Sequence, residues 1–211
     1  MPANFTGLTA CALAVLLLPT LAWAQSDGDA ARPQKHFTLE NPAGLTGADA
    51  EATYARLKRD LVAAYGLSGE PYTQRYAEWR RYNTVPYRSS QHGERFINNY
   101  ANDAASRYGL FENSGPMPVG AILAKDSFAV TEVGDVFSGP LFVMEKMQPG
   151  FNPESADWRY TMIMPDGSLL GTTNGIGSES VEFCVTCHAL ARAANDHMFY
   201  VPVPLRVPGP D

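Results

Sequence analysis

The sequence predicts an α+β fold: an antiparallel β-sheet domain with N-terminal helices before it and a C-terminal helix after it. Three observations carry this expectation. Apolar residues recur at helical spacing before residue 83, apolar and polar residues alternate between turn signals from 119 to 173, and an alanine-rich stretch bearing two cysteines and a histidine follows. Strands grouped together, with helices segregated to the ends, are the pattern of an α+β domain.

The chain has 211 residues and opens on an apolar run from Leu8 to Leu21. Leu21-Ala22-Trp23-Ala24 then reads as a small-x-small cleavage site, so residues 1–24 are expected to be a secretory signal peptide. No Lys or Arg precedes the run, which leaves only the α-amine to supply positive charge. The run is shorter than the roughly 20 apolar residues of a transmembrane helix, so no stable membrane insertion is expected. Cys11 is a poor lipoprotein site, because the apolar run lies after it rather than before it. Without residues 1–24, Cys184 and Cys187 are the only cysteines. The formal net charge of −6 falls on the rest of the chain. An acidic surface argues against nucleic acid or an anionic membrane as partner, and suits a neutral or cationic small substrate and a basic redox partner.

Residues 25–45 are polar, contain Pro33, Pro42 and Gly44, and read as a leader. Residues 46–88 read as a helical N-terminal extension. Thr46 with Asp49 is a variant capping box, Tyr54, Leu57, Leu61 and Ala64 form the apolar stripe, and Gly66 ends the helix. A second helix is expected from Tyr72 to Tyr82, with Tyr72, Tyr76 and Trp79 on one face, and a third, irregular one from Phe96 to Tyr108. The main domain is placed at 89–205, with 206–211 as a tail.

Gly115-Pro116-Met117-Pro118 breaks any helix. Strands are expected at Val119–Lys125, Phe128–Val133, Leu141–Met147, Trp158–Met164 and Leu169–Thr173, the last two joined by the turn Pro165-Asp166-Gly167. In the first of these, Val119, Ala121, Leu123 and Lys125 share a face.

The last helix is expected from Ser180 to His197, and it carries Cys184-Val185-Thr186-Cys187-His188. Cys-x-x-Cys-His is the attachment signature of a c-type haem. On a helix these three side chains leave the same face, so two thioether bonds and one axial imidazole from His188 can serve one porphyrin. A redox dithiol, a zinc half-site and a structural disulfide are the competing readings. A dithiol has no need of the adjacent histidine and prefers a βαβ setting, and zinc would want a second ligand pair. The expected C-terminal element is therefore a haem-binding helix, and attachment of haem c implies a periplasmic location. Met198 follows His188 too closely to curl over the opposite haem face. Met144 or Met162 on a strand could reach iron, although strand thioethers are more often core filler.

Gly120 to Lys125, Gly139 to Met144, Asp157-Trp158-Arg159-Tyr160 and the Cys-x-x-Cys-His block together resemble the cytochrome P-460 family, which includes cytochrome c prime-beta. The resemblance spans roughly residues 90–204. It implies a mostly antiparallel β fold, often dimeric, with five-coordinate haem iron and an open distal site. It also implies hydroxylamine oxidation to nitric or nitrous oxide, with electrons passed to another cytochrome. In the hydroxylamine-oxidising members a strand lysine is joined to a porphyrin meso carbon, and Lys125 matches it. Glu179 matches a pocket position that influences oxidation, and Arg95 resembles a distal arginine. Glu145 and Glu182 are further carboxylates that could accept protons. Phe128, Phe137 and Phe142 could instead crowd the iron, as in the gas-binding branch, which captures nitric oxide without turnover. His92 and His197 read as satisfied histidines rather than ligands. A simple electron carrier with a strand methionine on iron is the third functional class.

Overall fold

A computed structural model describes residues 35–42, 45–191 and 193–207, together with Met1. The signal-peptide expectation, most of the polar leader and the end of the tail lie outside these residues. The first strand, β1 (Lys35–Thr38), belongs to the stretch read as leader. Helix α1 (Gly47–Gly66) follows, closed at its start by the expected box: Thr46 Oγ1 accepts from Asp49 N at 3.4 Å and Asp49 Oδ2 from Thr46 N at 3.3 Å.

The chain then departs from the sequence expectation. The segment 72–82 holds only a 3-10 turn at Tyr76–Glu78 and a short strand, β2 (Arg80–Arg81). Strand β3 (Tyr87–Ser89) lies beyond it, and the segment expected as a third helix is instead strand β4 (Arg95–Ala101) with 3-10 turns at Asp103–Asn113. Successive parts of β4 pair with β3 and β2, so the supposed extension is built into the sheet.

The first two expected strands, Val119–Lys125 and Phe128–Val133, are one continuous strand, β5 (Ile122–Val130), and the other three are present as β7 (Leu141–Lys146), β8 (Trp158–Ile163) and β9 (Leu169–Thr172). Between them lies the unanticipated β6 (Asp135–Ser138), which pairs with β1. All nine strands of the described residues form one antiparallel sheet with β5 at its hub. Residues Leu123 to Phe128 of β5 pair with β4, while β6 and β7 pair with its C-terminal and N-terminal stretches. Their registers differ by one residue across Gly139-Pro140. The glycine is required there, because a Cβ at 139 would collide with Ser127 Oγ. Among the described residues no helix is long and apolar enough to cross a membrane.

Alternation along the strands sends side chains to two layers. On one face, α1 lays Ala50, Tyr54, Leu57, Leu61 and Tyr65 against Tyr100, Ala124, Phe128, Val143 and Ile163. On the other, Ala101, Leu123, Met144, Trp158 and Tyr160 pack with the 3-10 segment and with Val185, Met198 and Val201 from the C-terminal stretch.

The α1 layer contains a buried carboxyl. Asp126 of β5 is fully buried and accepts from Tyr54 Oη at 2.6 Å, Tyr76 Oη at 3.1 Å and Asn98 Nδ2 at 3.0 Å. Because the Tyr54 proton goes to Asp126, Tyr100 donates to the Tyr54 oxygen across 2.6 Å. Three donors favour the carboxylate, but burial outweighs them and pushes the pKa up to about 6.

The folded state therefore holds this proton more tightly than the unfolded chain does. The contribution to stability is complete below the ordinary aspartate value and is lost as pH rises from about 4 through 6, a change of about 3 kcal/mol. Chemical denaturation across that range should show Asp126→Asn lacking this component of the slope. Parallel pH profiles for the two proteins would refute the assignment. Leu57→Ala should cost about 2–5 kcal/mol in the same measurement, as a leucine truncated in a packed layer does.

Candidate functional site

Strand register assembles one wall of a cavity. Lys125 stands opposite Phe142, and Leu123 opposite Met144, which in turn faces Tyr160. All five line the cavity, which holds about 640 Å³ of atom-free space including its open mouth.

The opposite wall is helix α2 (Glu182–Ala189), entered from a 3-10 turn at Ser178–Val181. Cys184, Cys187 and His188 line the cavity together with Phe183, as their i, i+3, i+4 spacing requires, while Val185 turns into the core. The helix is shorter than expected. It stops at Ala189, and after Ala193–Asn195 the chain passes through two left-handed residues, Asp196 (φ 51°) and His197 (φ 58°).

This detour brings the His197 carbonyl oxygen within 2.9 Å of His188 Nδ1. A carbonyl only accepts, so Nδ1 carries the proton and the Nε2 lone pair is left free. The ring is buried between Tyr160, at 5.1 Å, and Phe199, at 5.3 Å. Burial, helped by the Lys125 ammonium, lowers its pKa to about 4, so the imidazole is neutral.

Both thiols are free. Burial pushes the Cys184 thiol up to about 12. A redox dithiol of the thioredoxin kind needs the opposite shift. Nor do the described residues offer any group of three His, Cys, Asp or Glu side chains arranged to hold a bare metal ion. The site thus presents two free thiols, a neutral imidazole and exposed aromatic rims at Phe183 and Phe199 around an apolar hollow. Such a set could fix a flat apolar cofactor covalently along one edge and ligate its metal from one side.

Lys125 is buried at this cavity and, among the described residues, its amine has no hydrogen bond or salt bridge. Burial lowers its pKa to about 8. Sequence spacing placed this side chain on the same face as Leu123, and the register agrees.

Other expected site residues do not reach the cavity. Glu179 sits in the 3-10 turn before α2, exposed to solvent and not lining the hollow; nearness in sequence to Cys184 does not bring it inside. Glu182 is exposed, and Glu145 is paired with Arg159. Arg95 also lies outside the lining. Its Nη1 donates to the His92 carbonyl at 3.0 Å, which makes it a buttress for that residue. Of the three phenylalanines, only Phe142 lines the cavity. Phe128 stacks on Phe96 in the α1 layer, and Phe137 stands on β6.

His92, read from sequence as a satisfied histidine, does line the cavity, beside Gln91. Its Nδ1 lies 2.8 Å from Ser89 Oγ, its ring meets Phe142 edge-on at 4.9 Å, and burial lowers its pKa. The loop that presents it turns through left-handed Gly93 and Glu94, at φ 74° and 56°. No periodicity marks such a loop, so only the tertiary structure reveals it.

The thiol environment gives a direct check. In chain produced without cofactor, Cys184 should alkylate at neutral pH at least about 100-fold more slowly than a free cysteine of pKa ~8.5. Rapid alkylation would restore the dithiol reading. Compared with protein-family models and with curated proteins, the chain matches none.

Proposed function

We propose that the chain is a periplasmic mono-haem c-type cytochrome with an open distal side, which oxidises hydroxylamine to nitric oxide or nitrous oxide. In this reading Cys184 and Cys187 form the thioethers, His188 Nε2 ligates iron, and electrons leave to an electron-accepting cytochrome. The observation that carries it is the convergence of both thiols, a neutral imidazole with a free Nε2 and an unpartnered buried amine on one apolar cavity. Free thiols and exposed rings at Phe183 and Phe199 fit a porphyrin better than they fit a solvent-filled hollow.

Haem held there supplies a redox-active Lewis acid that binds a small nitrogenous ligand and accepts its electrons. The chain's own residues do the rest. Loss of electrons from hydroxylamine releases protons, and the His92 ring, which lines the cavity with its Nδ1 2.8 Å from Ser89 Oγ, can take one at Nε2 when Nδ1 carries the hydrogen shared with Ser89. The Lys125 amine, with its pKa near 8, is partly neutral close to neutral pH, as an amine must be to bond covalently to the macrocycle. The meso-carbon link implied by the family resemblance assigns it that place. Phe142, Phe183, Phe199 and Leu123 exclude water. A homodimer is part of the same family-based expectation.

Two rival readings each have an observation in their favour. The aromatic lining suits a diatomic gas held without turnover, and Met144 lines the cavity, as an electron carrier with methionine on iron would require. Carbon monoxide added to the reduced protein should bind without displacing a ligand; failure to bind would favour the electron carrier. Sustained reduction of an acceptor by hydroxylamine would then separate catalysis from gas capture.

Mutations read the residue roles. Cys184→Ala or Cys187→Ala should leave a haem peptide with one thioether by mass, and His188→Ala should abolish the normal axial spectrum. Lys125→Ala should change the absorption spectrum, and an unchanged one would dismiss the cross-link. His92→Ala should lower kcat by about 10²–10⁴ while carbon monoxide still binds, whereas Glu179→Gln should change turnover little.

A further inference from the structure

The Asp196-His197 dipeptide is an unusual way to end the segment after α2. Both residues are non-glycine and both occupy the left-handed region, which side chains with a Cβ adopt only under constraint. The constraint is visible. Asp196 is 4 % exposed, and its carboxylate accepts from Lys146 Nζ at 2.6 Å and from Met117 N at 2.8 Å. Its carbonyl accepts from Trp158 Nε1 at 2.7 Å, and Trp158 is fully buried. Lys146 is itself almost buried, donates also to the Ala156 carbonyl at 2.6 Å and lies over the Trp158 ring. Three separate segments, β7, β8 and the 115–118 stretch, therefore converge on Asp196, and the loop at 156 holds its partner Lys146.

We propose that the buried Lys146–Asp196 ion pair, locked by Trp158, is a positioning device for His188. It holds the strained dipeptide so that the His197 carbonyl receives the His188 Nδ1 proton. The next residue along from the clamp makes that contact, so a change of backbone torsions at 196 and 197 would displace the His197 carbonyl. The hydrogen bond selects one imidazole tautomer, aims the Nε2 lone pair into the cavity and raises the basicity of that nitrogen, as outer-shell partners of a metal-bound histidine do. Asp196 and Lys146 touch neither substrate nor cofactor; they act through His188. The consequence for iron rests on the haem reading of the site, whereas the tautomer does not.

Two measurements test the device. In cofactor-free chain, nitrogen-15 shifts of His188 should report the Nδ1–H tautomer, and Asp196→Asn or Lys146→Met should shift the population toward Nε2–H. In haem-loaded protein the same variants should lower the ferrous iron–histidine stretching frequency and raise the midpoint potential, because a weaker hydrogen bond makes a less basic ligand. Lys146→Arg, which keeps the charge, should restore both in large part. Trp158→Phe removes one hydrogen bond while keeping an aromatic ring in the core and both charges of the ion pair, and covers the case in which the charge variants do not fold; it should shift both readouts in the same direction but less. Leu57→Ala, destabilising on the far face of the sheet, should move neither. Unchanged tautomer and unchanged stretching frequency in the folded variants would overturn the proposal. A tautomer change in a chain that never acquires haem would uphold the device and reject the haem reading instead.

Discussion

Strand β5 carries two ionisable residues in succession, and both layers of the molecule are organised by the fact that neighbours on a strand face opposite ways. Lys125 enters the cavity and Asp126 enters the core beneath α1. Each is buried, and each is pushed toward its neutral form, the amine to about 8 and the carboxyl to about 6. They differ in what meets them. Asp126 has three protein donors, whereas Lys125 has no partner among the described residues. A buried amine with nothing to bond is costly for a folded chain, and such costs are tolerated where another molecule is to be met. One face of β5 is thus committed to the core beneath α1 and the other to the cavity, and a one-residue slip of register would exchange them.

That register is defended by polar side chains as well as by apolar ones. Asn98 and Asn99 on β4 sit directly opposite Asp126 and Lys125. Asn98 donates to Asp126 and accepts from Asn83, while Asn99 bonds Tyr87 and Tyr108 on the cavity side. Shifting β4 by one residue would leave several buried amides and a carboxyl without partners, each loss costing about 1–3 kcal/mol.

The same residues explain what the sequence could and could not convey. Helix α1 and strands β5, β7, β8 and β9 were legible because each buries one face, and burial on one face writes a period into the chain. The two asparagines of β4 carry no such period. Their strand conformation depends on partners at positions 83, 87, 108 and 126, and amide-rich Asn98-Asn99 therefore read as an irregular helix. Tyr72, Tyr76 and Trp79 misled in the opposite way, for their helical spacing comes from successive turns that meet the same core. At the site, Cys184, Cys187, His188 and Lys125 were legible from spacing and from family resemblance. His92 was not, since a loop bent through Gly93 and Glu94 delivers it, and Glu179 misled because a residue can precede a motif closely in sequence and still face solvent.

Replacing Glu179 with His92 changes the chemistry that the cavity can support. Among the described residues no carboxylate lines it; its ionisable groups are two thiols, one amine, one phenol and two imidazoles, and burial makes every shifted one among them favour its neutral form. A carboxylate acceptor would put negative charge next to bound cofactor and ligand and would hold a cationic substrate in the ground state. A neutral imidazole does neither. In the proposed reaction it would accept a proton only as electrons leave the substrate, so its interaction would strengthen along the reaction rather than before it, which is the condition for accelerating a step instead of merely tightening binding. The orientation it needs is supplied by Ser89 at Nδ1 and by Arg95 at the backbone, so the arginine expected at the distal site contributes by fixing the loop that reaches it.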